Sequence, residues 1–154
     1  MIKIFLVEDE VIIRDGIKNS IDWEREGYEF VGEAGDGELA YPLILKEKPD
    51  ILLTDIKMPF MDGLELSRRV AEEYPDIKII MLTAYEIFEY AREGIRMGVA
   101  DYIVKPVRRD ALRQSVCKVR DSILEKRNLL KAQQEYQERV DECMEEICKA
   151  VKAG

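Results

Sequence analysis

The chain has 154 residues, 47% hydrophobic and 36% charged, with 24 Lys+Arg against 32 Asp+Glu and no histidine. One domain with some chain to spare is the default at this length, and no run of about eighteen apolar residues offers a membrane span. The absent histidine excludes Ser-His-Asp and Cys-His nucleophiles and histidine-ligated zinc, and puts any phosphohistidine chemistry on another molecule.

Three cysteines, Cys117, Cys143 and Cys148, are an odd number without CxxC spacing. Free thiols in a reducing cytoplasm fit that count. Met1-Ile2-Lys3 leads straight into a strand pattern, so no signal peptide is expected and the location is read as cytoplasmic. Residues 1–106 hold 13 Lys+Arg against 23 Asp+Glu, whereas 107–131 hold 8 against 3. The acidic front is expected to repel nucleic acid. The basic stretch from Arg108 and Arg109 reads as a DNA contact, or more simply as a solvated helix face or a dock for an acidic partner.

The first expected strand, 2–7, ends in Glu8-Asp9, and helical spacing follows at Val11, Ile12, Ile17 and Ile21. A strand over 28–34 follows Gly27, then the turn Gly35-Asp36-Gly37 and a helix through Leu39, Ala40, Leu43 and Ile44. The third strand, 50–54, runs into Asp55, and Asp62-Gly63 opens a helix through Leu64, Leu66, Val70 and Ala71. The fourth, 77–82, ends in Thr83-Ala84, with helical spacing at Ile87, Phe88, Ala91 and Ile95. The fifth, 100–104, ends in Lys105-Pro106, a bond expected to be cis. Strands alternating with helices predict βαβ units and a parallel sheet, and runs such as Ile51–Thr54 are apolar on both faces, as a sheet covered on both sides requires.

From Arg108 no Gly or Pro interrupts the chain before Gly154. With Val116 at heptad position a, the a positions are Val116, Ile123, Leu130, Gln137, Met144 and Val151, and the d positions Val119, Lys126, Gln133, Val140 and Ile147. One long helix with coiled-coil potential is expected, weakened at Lys126, Gln133 and Gln137. A parallel homodimer through Val116, Val119, Ile123, Leu130, Val140, Met144, Ile147 and Val151 is weighed against a helix that packs on the domain and then frays.

Acids, an acid, a hydroxyl and an amine thus fall at the carboxyl ends of strands, the edge where open parallel sheets bind ligands. Asp55 can attack phosphorus as a carboxylate nucleophile, Glu8 and Asp9 can hold a divalent cation, and Thr83, Ala84 N–H and Lys105 can meet phosphoryl oxygens. Singly each has a plainer reading: Asp9 or Thr83 as a helix cap, Lys105 as a surface lysine.

At Leu6-Val7-Glu8-Asp9-Glu10, Asp55-Ile56-Lys57-Met58-Pro59-Phe60-Met61-Asp62-Gly63, Leu82-Thr83-Ala84 and Asp101-Tyr102-Ile103-Val104-Lys105-Pro106, the chain resembles the receiver domain of bacterial two-component response regulators over about residues 1–125. The resemblance implies a doubly wound (βα)5, flavodoxin-like α/β fold with strand order 2-1-3-4-5, followed by a C-terminal helical extension over 126–154. It implies Asp55 as the phosphorylation site, a sensor histidine kinase as partner and Mg²⁺ as cofactor, with Mn²⁺ as the alternative. Its metal set maps to Glu8, Asp9, Asp55 and the backbone carbonyl of Lys57, its switch pair to Thr83 and Tyr102, and its lysine to Lys105. Glu8 stands where the family commonly has Asp. The face 86–109 is expected to change its partner preference on phosphorylation, and Lys57 and Tyr85, flanking the water path, to slow hydrolysis.

The stretch Ile21-Asp22-Trp23-Glu24 with Gly27 to Ala34 looks like the subgroup preceding AraC-type DNA-binding domains. Either a longer regulator continues beyond this chain, reaching DNA through that further domain, or the receiver stands alone with a helical tail. Two other classes are weighed: a hydrolase working through an aspartyl-phosphate, which lacks a second acid at Lys57, and a structural dimer module with a vestigial site.

Overall fold

The computed structural model describes residues 1–84 and 98–154. The expected helix through Ile87, Phe88, Ala91 and Ile95 lies outside the described residues, as does Tyr85. Five parallel strands form one sheet: β1 (Ile2–Val7), β2 (Tyr28–Ala34), β3 (Ile51–Asp55), β4 (Lys78–Ala84) and β5 (Asp101–Lys105), in the order β2-β1-β3-β4-β5. Between them run α1 (Val11–Ser20), α2 (Gly37–Glu47) and α3 (Gly63–Glu73), and the chain ends in a long helix, α4 (Arg109–Ala153). The described residues form two compact units, Met1–Arg120 and Asp121–Gly154.

Local chemistry sets these elements. Every residue of β3 is buried, so the strand is apolar on both faces until it reaches Asp55. Asp36 caps α2 through Leu39 N–H at 2.8 Å, and Asp62 caps α3 through Glu65 N–H at 2.8 Å. The N-cap of α1 is Glu10 and carries no side-chain cap bond. Asp9 is therefore not spent as a cap. Phe5 sits where the β1–β2 register shifts, and its ring lies over Gly32 so closely that an added Cβ would come within 2.5 Å of it. Phe5, Leu52, Ile56, Leu66 and Met81 belong to one buried core cluster.

The first turns of α4 correct the expected dimer seam. Val116 and Val119 are 1% and 3% exposed, already buried in the single chain. Val116 lies with Ile21, Trp23 and Tyr28 around one small cavity, flanked by a 2.9 Å ion pair from Arg113 to Glu26 and by Arg120 over the Tyr28 ring. Val116 and Val119 both lie in the first compact unit, Met1–Arg120, and are covered there, so they are not open to a second copy. From Leu124 onward every residue is exposed except Val140, which is half-buried.

Candidate functional site

Strand register brings the expected residues to one edge. Val7 pairs with Thr54, so Glu8 is level with Asp55. Asp55 pairs with Leu82, one step before Thr83, and Ala84 pairs with Lys105. One carboxylate oxygen from each of Glu8, Asp9 and Asp55 lies within 4.8 Å of the others. Glu8 is fully buried and Asp55 nearly so, while Asp9 is exposed.

Lys105 joins the acids. Its Nζ donates to Asp55 Oδ2 at 3.0 Å and to Glu8 Oε1 at 3.2 Å, and lies 3.0 Å from Glu8 Oε2. The peptide bond that follows it is cis. Asp55 Oδ1 accepts from the Ile56 N–H at 2.8 Å, which fixes the carboxylate plane. Glu8 Oε2 is buried, and its contact with the Lys105 ammonium is an ion pair without hydrogen-bond geometry.

Burial dominates the electrostatics. It pushes the Glu8 carboxyl up to about 7, against the Lys105 hydrogen bond, with Asp55 adding repulsion. Burial likewise raises Asp55 above the usual carboxylate range despite Lys105. Burial alone would lower the Lys105 amine, but its bonds to Glu8 and Asp55 outweigh that and raise it. When all are ionised, three carboxylates against one amine leave a formal charge of −2. An oxygen-only donor set of that charge fits a hard divalent cation. Lys57 is exposed, and with Asp9, Ile56, Met58, Pro59 and Asp62 it lines an open groove beside the acids.

The remaining expected residues are placed as follows. Thr83 is buried, and its hydroxyl donates to the Ala84 carbonyl at 3.1 Å, so it is engaged with the backbone. Ala84 is half-buried at the end of β4. Tyr102 is 44% exposed on β5, with its N–H bonded to Asp101. Lys105 is half-buried among the acids, so the surface-lysine reading does not hold.

Sequence reasoning missed three supporting residues. Arg14, on α1, donates from Nη1 to the Glu8 carbonyl at 3.0 Å and so ties down the loop that presents Glu8 and Asp9. The Thr54 hydroxyl donates to the Asp55 carbonyl at 2.9 Å. Gly63 packs its Cα against that same carbonyl, where an added Cβ would come within 1.9 Å, and donates its N–H to Ile56 O at 2.7 Å. Only Gly63 had a sequence signal, as half of the Asp62-Gly63 turn.

Comparison with known proteins agrees with this geometry. The family profile described as the response regulator receiver domain matches residues 4–117. The transcriptional regulatory protein YesN of Bacillus subtilis is 44% identical over 106 residues, 69% of this chain and 29% of YesN. The receiver domain of AraT from Geobacillus stearothermophilus is 42% identical with a TM-score of 0.77, covering 81% of this chain and 97% of that structure. An AraC two-component transcriptional regulator structure from Clostridium phytofermentans is 30% identical with a TM-score of 0.74, covering 84% and 99%. The chain spans 29% to 48% of the length of the first curated relatives it matches. No described helix is long and apolar enough to cross a membrane. The cluster of Glu8, Asp9 and Asp55 is typical of the phospho-acceptor pocket and metal site of such domains. The chain belongs to the receiver domains of two-component response regulators, phospho-acceptors rather than classical enzymes, whose presence implies a cognate histidine kinase.

Proposed function

We propose that Asp55 accepts a phosphoryl group from a phosphohistidine of a sensor kinase. One observation carries the reading: a nearly buried aspartate sits beside two further carboxylates and 3.0 Å from a lysine amine. In the transfer an Asp55 oxygen bonds phosphorus, the P–N bond to the kinase imidazole breaks, and the imidazole leaves with the electron pair and takes a proton. Lys105 turns from the Asp55 carboxylate to a phosphoryl oxygen, and Ala84 N–H meets another. The Thr83 hydroxyl gives up its bond to the Ala84 carbonyl and follows, and Tyr102 turns inward. Glu8, Asp9, Asp55 and the Lys57 carbonyl would hold Mg²⁺, or Mn²⁺ in its place, which supplies neutralisation of the transferring charge.

In this reading residues 1–125 are the receiver and 126–154 a helical extension through which the protein forms a homodimer in the cytoplasm. The face 86–109 passes the change on. Transcriptional output runs through a further DNA-binding domain, in keeping with the similarity to the transcriptional regulators YesN and AraC, and this chain makes no DNA contact of its own. The test is incubation with Mg²⁺ and a small phosphodonor, comparing wild type with Asp55→Asn by intact mass. Wild type should gain one phosphoryl group and the variant none. Equal incorporation by both would remove Asp55 from the assignment, and turnover of a phosphate ester would favour a hydrolase.

A further inference from the structure

We infer that residues 127–153 of α4 pair with the same residues of a second copy, parallel and in register, so that Cys143 of each helix faces Cys148 of the other. This rests on the homodimer reading above and assigns its surface, direction and register.

The first observation is exposure. In the second compact unit, Leu130, Met144, Ile147 and Val151 are 55%, 56%, 52% and 73% exposed. With Val140 they recur at the a and d positions of an unbroken heptad. A helix in water is held mainly by packing of its apolar face, not by its own propensity. An intrahelical pair here, Gln137 to Asp141 at 2.9 Å, belongs to a class contributing only tenths of a kcal/mol.

The second observation is charge placement, which says what covers the face. Arg127 to Ala153 contain eleven charged residues; nine sit at b, c or f, and the other two, Arg127 and Asp141, at e. None is at a, d or g, so a second copy can close on this face without burying a charge. In a parallel pair a g residue faces the e residue five positions on in its partner. The resulting neighbours are Leu129–Gln134, Tyr136–Asp141 and Cys143–Cys148, with no like-charge pair among them.

Direction follows from the order of layers. The two polar layers, Gln133 and Gln137, lie towards one end, and Val140, Met144, Ile147 and Val151 towards the other. Parallel, in-register pairing stacks amide on amide, each supplying donor and acceptor, and apolar on apolar from Leu130 to Val151. Antiparallel pairing either sets the amides against aliphatic side chains or aligns only the distal block and leaves Leu130 uncovered.

The full chain is tested in a Cys117→Ser background with a short thiol-specific bismaleimide. Unmodified Cys143 and Cys148 should give a cross-linked dimer. Cys143→Ser alone and Cys148→Ser alone should each lose most of it. Mixing those two variants and letting them exchange should restore roughly half. Homotypic cross-linking in either single variant, or a dimer in which the mixture restores nothing, overturns the parallel register. Sedimentation separates this from the parent reading: a chain monomeric at high concentration refutes the homodimer itself, and a dimer that survives Ile147→Asp refutes this surface. Phosphorylation of Asp55, read separately, bears on neither.

Discussion

The strand-end pocket and the distal part of α4 break the usual rule of burial in opposite ways. In the pocket, charge is inside: Glu8 is 0% and Asp55 7% exposed. On the distal helix, large apolar side chains are outside, Val151 at 73%. A buried charge and an exposed apolar stripe are the informative exceptions in a folded chain. Each exception is a structure lacking its complement. The pocket asks for positive charge to offset its carboxylates. The stripe asks for another apolar face. Both are stabilised when the complement binds, and both contribute little or negatively without it.

The largest effect expected at the pocket follows from removing the one cation that its described residues place among the acids. Lys105→Met leaves Glu8 and Asp55 facing each other without a partner, and breaking a buried pair from one side costs about 3 kcal/mol. Urea unfolding at pH 8 should show that loss, and it should shrink by pH 5.5, where the two acids, already raised, can protonate instead. A variant as stable as wild type at pH 8 would mean that solvent, not Lys105, sustains the charges.

The pocket was legible in the sequence and the stripe only half so, for different physical reasons. Glu8, Asp55 and Lys105 each end a short apolar run, and a parallel sheet brings such ends together whatever the packing beneath. The direction of the Thr83 hydroxyl was not legible, because a threonine beside its own backbone can bond locally, and here it takes the Ala84 carbonyl. Arg14 and Thr54 act through main-chain carbonyls, which leave no residue-type signature at their partners. In α4 the heptad pattern did not tell the buried first turns from the exposed distal part. Periodicity reports that a helix has an apolar face, and Val116 and Ile123 satisfy the pattern as well as Ile147 does. Only burial separates Val116, 1% exposed, from Ile147, 52% exposed.

A second test asks whether the buried acids are a net strain. Glu8 has its folded-state value raised from 4.5 to about 7, so between those values the folded state holds more protons than the unfolded one. Stability without metal should therefore fall as pH rises from about 5 to 7.5, by roughly 1–3 kcal/mol. Glu8→Gln should remove most of that slope and be the more stable protein at pH 7.5, while binding Mg²⁺ more weakly. Adding Mg²⁺ to wild type should flatten the slope, since the cation favours the ionised carboxylates. A slope of opposite sign would show that Lys105 stabilises the Glu8 carboxylate more than burial opposes it.

The smallest effect belongs to the stripe, and its smallness is the point. Ile147→Ala removes a side chain already 52% exposed, so in dilute protein the stability of the receiver should change by no more than about 0.5 kcal/mol. Leu112→Ala, on the same helix but fully buried, should cost about 2–5 kcal/mol in the same urea titration. Raising the concentration should leave the Leu112→Ala deficit in place and open a gap between wild type and Ile147→Ala, because only self-association uses the Ile147 side chain. If that gap stays closed at every concentration, the stripe gains nothing from a second copy. If Ile147→Ala is costly even in dilute solution, the distal helix is packed within its own chain, and the contrast between the two stretches of α4 disappears.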